Sequence, residues 1–186
     1  ITMNSRVTIE NSYEQIKEYI DAKLNKDKSL FKTSNDEPTP LDCCEEMLSK
    51  IPNNFWLKKD LKILDPCAGH GNFEIILHNI LTNNSYTTKD ILEKIITFNE
   101  INEKRITLLN KIFCGDKYKL NITEHDFLEY PSDIKFDLQI ANPPYAKFCE
   151  TTDKDGNIVM KRASKNHTLV RDFIEKILDI CKDGGF

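Results

Sequence analysis

The sequence predicts an α/β fold in which a doubly wound, mainly parallel sheet carries helices on both faces. A short apolar run leads through a glycine turn into an amphipathic helix at 61–81, and a second strand–helix unit follows at 95–113. Polar residues close each predicted strand. Strands that alternate with helices in this way form parallel sheets with right-handed crossovers, and their sites lie at the carboxyl ends of the strands.

Length and composition indicate one globular domain. The chain has 186 residues, of which 39% are hydrophobic, and its formal net charge is -4. This charge gives no general attraction to a polyanion, so binding of nucleic acid requires a local patch or another segment. The six cysteines have no metal-ligand spacing, which predicts reduced thiols and a cytoplasmic location. No apolar run approaches the roughly 18 residues of a membrane span, and no signal peptide is apparent, so no membrane partner is expected.

The N-terminal part predicts helices before the first strand. Residues 9–24 place Ile16, Ile20 and Leu24 four positions apart, which predicts an amphipathic helix packed on the domain. We therefore assign residues 1–30 to an N-terminal helical extension and residues 31–186 to the main domain. Residues 30–39 predict a loop, and Thr39-Pro40 predicts the start of the next helix.

The remaining elements alternate as the fold class requires. The predicted strands lie at 61–64, 95–98, 118–122 and 136–141. The predicted helices lie at 73–81, 101–113 and 168–181. Two polar stretches predict loops, an extended one at 82–90 and a mobile one at 146–166, within which residues 161–165 (KRASK) favour a solvated loop over a DNA clamp.

The glycine turn at 65–71 predicts a ligand site. Gly69 and Gly71 allow a tight turn and close approach of a ligand, and the following helix offers unsatisfied amide donors. A Gly-x-Gly turn also occurs without a ligand, so the turn alone leaves both readings open. The sequence has neither the third glycine of a dinucleotide site nor the Gly-Lys-Ser/Thr of a triphosphate loop. A different nucleotide-like ligand is therefore expected.

Two acidic residues close the second and third predicted strands. Glu100 is placed to accept hydrogen bonds from ribose hydroxyls, although a solvated glutamate at a helix start is the alternative. Asp126 is placed to accept a proton from an adenine amino group, although neighbouring polar residues show how common such side chains are here. Both carboxylates would converge with the glycine turn in one crevice.

The motif Asn142-Pro143-Pro144-Tyr145 closes the fourth predicted strand. Its two prolines stiffen the backbone and remove two amide donors, which leaves carbonyl acceptors beside an aromatic ring. An exocyclic adenine amine is a poor nucleophile, and it needs acceptors for both hydrogens during carbon transfer. The side chain of Asn142 and the carbonyl of Pro143 offer such acceptors, and Tyr145 could stack on a base removed from its helix.

At these motifs the sequence resembles the class I methyltransferases. ILDPCAGHGNF at 63–73 resembles their methionine-cofactor motif, and DLQIANPPY at 137–145 resembles the catalytic motif of the DNA methyltransferases that methylate amino groups. FNE at 98–100 and HDF at 125–127 fall between them in the order that these enzymes use. Phe31 and Thr39-Pro40 are similar to the upstream segment of the gamma-type order. The resemblance implies a Rossmann-like fold and the cofactor S-adenosyl-L-methionine.

The resemblance also implies roles for single residues. Asp65 and the backbone from Ala68 to Gly71 would hold the amino-acid part of the cofactor, Glu100 the ribose and Ile101 the adenine face. The full set of implied cofactor-binding residues is Phe31, Thr39, Pro40, Asp65, Pro66, Ala68, Gly69, Gly71, Glu100, Ile101, Asp126 and Phe127. The implied catalytic residues, which would hold the target amine, are Asn142, Pro143, Pro144 and Tyr145. No metal and no covalent nucleophile are implied, and Cys67 is interpreted as structural.

The implied reaction is methylation of the N6 amino group of adenine in DNA, with the target base flipped out of the duplex. The chain reaches Phe186 where the family turns into its fifth strand, so we expect a sheet that is truncated there. We also expect a missing C-terminal recognition domain or a partner subunit. Two alternatives stay open: a methyltransferase of RNA bases or of protein glutamine, since the motif suits any planar nitrogen, and a cofactor-binding subunit without activity.

Overall fold

The computed structural model describes residues 7–31, 37–143, 148–152, 155–162 and 169–186. The helices are α1 (Tyr13–Ala22), α2 (Leu41–Ser49), α3 (Asn72–Asn83), α4 (Thr88–Asp90), α5 (Glu103–Ile112) and α6 (Leu169–Asp179). The strands are β1 (Ile63–Asp65), β2 (Ile96–Asn99), β3 (Ile122–Thr123), β4 (Leu138–Gln139), β5 (Phe148–Thr152) and β6 (Ile158–Arg162). Within the described ranges, no helix has the length and apolar character needed to cross a membrane.

The central sheet is parallel and has the strand order β3-β2-β1-β4. Ile63 in β1 pairs with Ile96 on one side and with Leu138 on the other, so β1 lies inside the sheet. The chain order reverses between β1 and β4, and this is the place where open α/β sheets bind ligands. The predicted α/β class with a parallel sheet is confirmed.

Apolar side chains pack on both faces of this sheet. Ile63 belongs to the larger core cluster, which α1, α2, α3 and α5 cover. The next residue, Leu64, points to the opposite face and packs in a smaller cluster with Phe127 and Phe173, the latter from α6. The alternation along β1 therefore gives the doubly wound arrangement that the sequence predicts.

The N-terminal helix α1 shares the larger core. Ser12 caps it reciprocally with Gln15, and Ile16 and Ile20 are fully buried. The Glu45 carboxylate in α2 accepts hydrogen bonds from the Tyr13 hydroxyl at 2.6 Å and the Lys17 ammonium at 2.7 Å. The packing of this helix on the domain, which the apolar spacing predicts, is confirmed.

Two expected loops are corrected by the structure. In the polar stretch 82–90, the Thr87 hydroxyl accepts a hydrogen bond from the Asp90 amide and starts α4, which continues into a π-helical turn at Ile91–Ile95. The stretch 146–166, predicted as a mobile loop, contains the antiparallel hairpin β5–β6 in its described residues. Its turn includes Asp155-Gly156, with Gly156 at φ 84°. Residues 146–147, 153–154 and 163–166 lie outside the described residues.

The third and fourth strands are shorter than predicted. The third strand was expected at 118–122 but occupies Ile122–Thr123, and the fourth was expected at 136–141 but occupies Leu138–Gln139. Residues after α6 already lie beside the fourth strand. The Phe186 carbonyl accepts from the Gln139 amide, and the Phe186 amide donates to the Asp137 carbonyl, both at 2.9 Å.

Candidate active site

The turn between β1 and α3 has two glycines with different surroundings. Gly69 and Gly71 have φ angles of 61° and 97°, in the left-handed region. A Cβ atom at Gly71 would lie 2.5 Å from the ring of Phe113, whereas no atom lies within 4 Å of a Cβ built at Gly69. Gly71 therefore packs tightly against the core, while Gly69 borders open space that a ligand can fill.

This difference predicts unequal effects of two alanine substitutions. Gly69→Ala adds only the strain of a left-handed alanine, and we expect it to lower the free energy of unfolding by about 1 kcal/mol. Gly71→Ala adds overlap with Phe113 and should cost about 2–4 kcal/mol. Urea denaturation of the two variants, side by side, measures the difference. Equal losses of stability would contradict the packing described for Gly71.

Asp65 ends β1 at the base of this turn and is 2% exposed. Its Oδ1 atom accepts a hydrogen bond from the Cys67 amide at 2.8 Å. Burial raises the pKa of Asp65, because the interior disfavours the charged carboxylate. A cationic group of a ligand beside Asp65 would stabilise the charged carboxylate.

Glu100 joins the ends of β1 and β2. Its Oε2 atom accepts from the Gly69 amide at 2.9 Å, and its Oε1 atom accepts from the Ile101 and Asn102 amides at 2.9 and 2.8 Å. The guanidinium of Arg105 lies 3.6 Å from Oε2. Burial raises the pKa of Glu100, and these donors oppose the rise. Beside this carboxylate, Ile101 is 64% exposed and offers an apolar face.

Asp126 is accessible to a ligand, whereas the side chain of Phe127 is buried. Asp126 is exposed at the end of the segment after β3, and its Oδ1 atom accepts from the Leu128 amide at 3.1 Å. The ring of Phe127 is buried against Phe173, with ring centroids 4.9 Å apart. The ring therefore belongs to the core beneath α6, which leaves only the backbone of Phe127 for a ligand.

Asn142 and Pro143 are half-buried beyond the end of β4. The Asn142 carbonyl accepts a hydrogen bond from the Cys67 thiol at 3.3 Å, and the Asn142 side-chain amide donates to the Glu37 carbonyl at 3.1 Å. Burial raises the pKa of Cys67, which keeps the thiol protonated as a donor at neutral pH. Pro144 and Tyr145, the other two predicted catalytic residues, lie outside the described residues.

Of the upstream residues that the resemblance implies, Phe31 and Thr39 contact residues in or next to the glycine turn, and Pro40 begins the next helix. The Thr39 carbonyl accepts from the Asn72 side chain at 2.8 Å, and Pro40 precedes α2 as its N-cap residue. The ring of Phe31 meets the ring of His70 edge-on at 6.0 Å. The guanidinium of Arg105 lies 5.4 Å from the centroid of the Phe31 ring, which adds a cation–π contact.

Asn99 connects three strand ends, and the sequence analysis did not single it out. Its side-chain amide donates to the carbonyls of Pro66 and His125 at 3.0 Å, and its Oδ1 atom accepts from Thr123 at 2.9 Å. The Asn99 carbonyl also accepts from the Ala68 amide at 3.0 Å. Its position next to Glu100 at a strand end was the available signal.

Unused hydrogen-bonding atoms gather at the same turn. Among the described residues, five buried side-chain atoms have no hydrogen-bond partner, and four of them belong to His70, Asn72 and Glu74. Buried polar atoms are normally bonded, so the unpaired atoms of His70 and Asn72 fit a polar ligand or its solvent. Burial lowers the pKa of His70 to about 4, so this imidazole is neutral at neutral pH. The site thus offers carboxylates and neutral polar groups to a cation.

Two solved structures with the same fold are distant from this chain in sequence. A putative class I S-adenosylmethionine-dependent methyltransferase from Listeria monocytogenes has a TM-score of 0.64 at 18% identity, over 95% of this chain and 53% of that one. A modification subunit of a putative type I restriction enzyme from Vibrio vulnificus has a TM-score of 0.60 at 18% identity, over 91% and 36%. These likenesses establish the Rossmann-like fold of class I methyltransferases.

Sequence comparison identifies the family. The curated type II methyltransferase M.VspI from Vibrio sp. (strain 343) is 31% identical over 121 residues, which are 63% of this chain and 27% of M.VspI. The chain thus matches about a quarter of that relative's length. A model of the Eco57I restriction-modification methylases matches residues 4–186. The chain belongs to the Eco57I restriction-modification methylase family.

Proposed function

We propose that the protein transfers a methyl group from S-adenosylmethionine to the N6 amino group of adenine in DNA. The observation that carries this proposal is the contact between the Cys67 thiol and the Asn142 carbonyl. It joins the glycine turn to the start of the Asn-Pro-Pro motif, so donor and acceptor sites share one crevice. Membership of a restriction-modification methylase family supports both the cofactor and the DNA substrate.

The described residues suit this cofactor. S-adenosylmethionine carries two positive groups, an ammonium and a sulfonium. Two carboxyl groups are buried at the site, that of Asp65 in the turn and that of Glu100 beside it. In the proposed site Asp65 binds the ammonium, and the open space at Gly69 admits the methionine part. Glu100 retains lone pairs for the ribose hydroxyls beside its three amide donors. Ile101 contacts one face of the cofactor adenine.

Positioning accounts for most of the proposed catalysis. The cofactor supplies an electrophilic methyl group on its sulfonium, and the protein holds the amine in line with it. The Asn142 side-chain oxygen and the Pro143 carbonyl accept the two amine hydrogens, which increases electron density on the nitrogen as the new bond forms. After transfer, the nitrogen loses one proton to solvent. A duplex adenine reaches these acceptors only when it is flipped out.

The binding of the rest of the DNA is proposed to involve other surfaces. The formal net charge of -4 provides no general attraction to the phosphate backbone. A recognition segment or a partner subunit would supply the basic contacts that position the target. The relative M.VspI is longer than the aligned region, which supports a division of this kind.

Product analysis tests the proposed reaction. The native protein is incubated with methyl-labelled S-adenosylmethionine and, separately, with duplex DNA, single-stranded DNA, RNA and glutamine-containing peptide. The expected result is label in DNA, recovered as N6-methyladenine after digestion to nucleosides. Label recovered as N4-methylcytosine, or found only in RNA or peptide, would replace the proposed substrate. Cofactor binding without transfer to any acceptor would favour a non-catalytic subunit.

A further inference from the structure

Glu74 is an acidic residue in the core, and it takes no direct part in the proposed reaction. It is the third residue of α3, after the N-cap residue Gly71, and its solvent exposure is 0%. Neither oxygen of its carboxyl group meets a hydrogen-bond donor within the described part of the chain. A carboxyl group in such a place is costly unless it is neutral or paired.

Glu74 faces the carboxyl group of Asp65, and the two can form a hydrogen bond once one of them supplies a proton. Two carboxylate oxygens repel each other, so this contact is favourable only when one carboxyl group carries a proton. Burial and the charge of Asp65 raise the pKa of Glu74 well above its usual range. The proton therefore resides on Glu74, and Asp65 accepts from it.

We propose that Glu74 is a positioning residue, which keeps one proton and donates it to Asp65, so that Asp65 stays charged and oriented toward the cofactor ammonium. The Cys67 amide donates to the Oδ1 atom of Asp65, and the proton of Glu74 provides a second hydrogen bond to the same carboxylate. The pair then carries a single negative charge, which matches one ammonium group. This inference rests on the proposed placement of the cofactor at Asp65.

The other ionisable groups around the pair keep the proton in place. Glu100 lies on the neighbouring strand end and adds negative charge that opposes a second ionisation. The thiols of Cys44 in α2 and Cys67 in the turn face the same carboxyl groups, and burial raises the pKa of both thiols. These named neighbours of the pair are carboxyl groups and thiols, and the ammonium bound at Asp65 would bring a positive charge to them.

Stability as a function of pH tests the shared proton without any cofactor. Because the folded-state pKa of Glu74 is raised, its contribution to stability is present below the unfolded pKa near 4.5 and is lost as pH rises toward the folded value. The variant Glu74→Gln keeps an amide donor and cannot ionise. Above about pH 5, and until the folded protein itself releases the proton, the unfolding constant of the native protein should rise about tenfold per pH unit relative to that of the variant.

A matched control is Glu103→Gln, which removes an exposed carboxylate from the first turn of α5. We expect its unfolding constant to follow that of the native protein across the same pH range. If Glu74→Gln also follows the native protein, Glu74 ionises normally and the shared proton is disproved.

Cofactor affinity, measured by isothermal calorimetry at pH 7.5, tests the positioning role. Glu74→Gln should bind S-adenosylmethionine as the native protein does, while Glu74→Leu, which has no donor, should bind about tenfold to a hundredfold more weakly. The positioning role would be overturned if both variants bound S-adenosylmethionine as tightly as the native protein does. It would also be overturned if both lost affinity to the same extent. If the native protein itself does not bind the cofactor, the proposed function fails, and the pH dependence still decides whether the proton is shared.

Discussion

Asn142→Ala is expected to slow methyl transfer by about a hundredfold to a thousandfold and to leave cofactor affinity close to that of the native protein. The loss is large because preorganised hydrogen-bonding groups at a reacting centre typically contribute this much to the rate. Asn142 provides one of two acceptors for the target amine in the proposed mechanism. Its alanine variant leaves the carbonyl at position 142 in place, so the contact with Cys67 is retained.

Two measurements separate the role of Asn142 in transfer from a role in binding. Single-turnover methylation of DNA gives the transfer rate, and calorimetry gives the affinity for S-adenosylmethionine. The control is Asn110→Ala, because Asn110 is exposed and its side-chain amide donates to the Ile106 carbonyl within the same helix, α5. If Asn142→Ala lost as much cofactor affinity as transfer rate, Asn142 would not be a residue that binds the target amine.

Asp65→Asn should have the opposite profile, with cofactor affinity reduced about tenfold to a hundredfold. Asparagine has nearly the shape of aspartate and keeps an oxygen for the Cys67 amide, so the substitution removes the negative charge alone. The transfer rate at saturating cofactor should stay within a few-fold of the native rate. Stability should not fall, because a buried carboxylate with a raised pKa is itself costly.

The control for Asp65→Asn is Asp133→Asn, which changes an exposed carboxylate. Both variants lose one formal negative charge, so general electrostatic effects are matched. Calorimetric titration with S-adenosylmethionine distinguishes them. Native-like affinity of Asp65→Asn would exclude Asp65 as the partner of the ammonium group.

The strand–turn–helix unit of the site could be predicted from sequence because local rules determine it. The apolar residues before Asp65 must be buried, and Gly69 and Gly71 adopt left-handed angles that other residues rarely take. The order of the parallel strands then brings Asp65, Glu100 and Asn142 to one edge. Their convergence follows from topology alone, and the structure confirms it.

One short helix and one β-hairpin lie in stretches whose polar composition predicts loops. The asparagine and threonine residues of the stretch 82–90 predict a loop, although Thr87 and Asp90 form a recognisable helix start. The polar composition of 146–166 also predicts a loop, although the Asp155-Gly156 pair between β5 and β6 is common in hairpin turns. In both places the turn chemistry was more informative than average polarity.

Buried polar residues were the hardest part of the site to predict. Asn99 acts through bonds to backbone atoms of distant segments, and such bonds leave no periodic pattern. Glu74 does leave a signal, since it shares a helical stripe with Leu77 and Leu81, both fully buried. An acidic residue on an apolar stripe indicates a charge whose partner comes from elsewhere in the fold.

The segment before α2 meets both halves of the site through its main chain. The Thr39 carbonyl binds Asn72 at the glycine turn, and the Glu37 carbonyl binds Asn142. Two peptide units separate these oxygens, about 7 Å in an extended chain. The spacing between the glycine turn and Asn142, where the methyl donor and acceptor are proposed to bind, is thereby tied to covalent backbone geometry. Because both contacts use main-chain oxygens, a substitution of the side chain at position 37 or 39 leaves both acceptors in place.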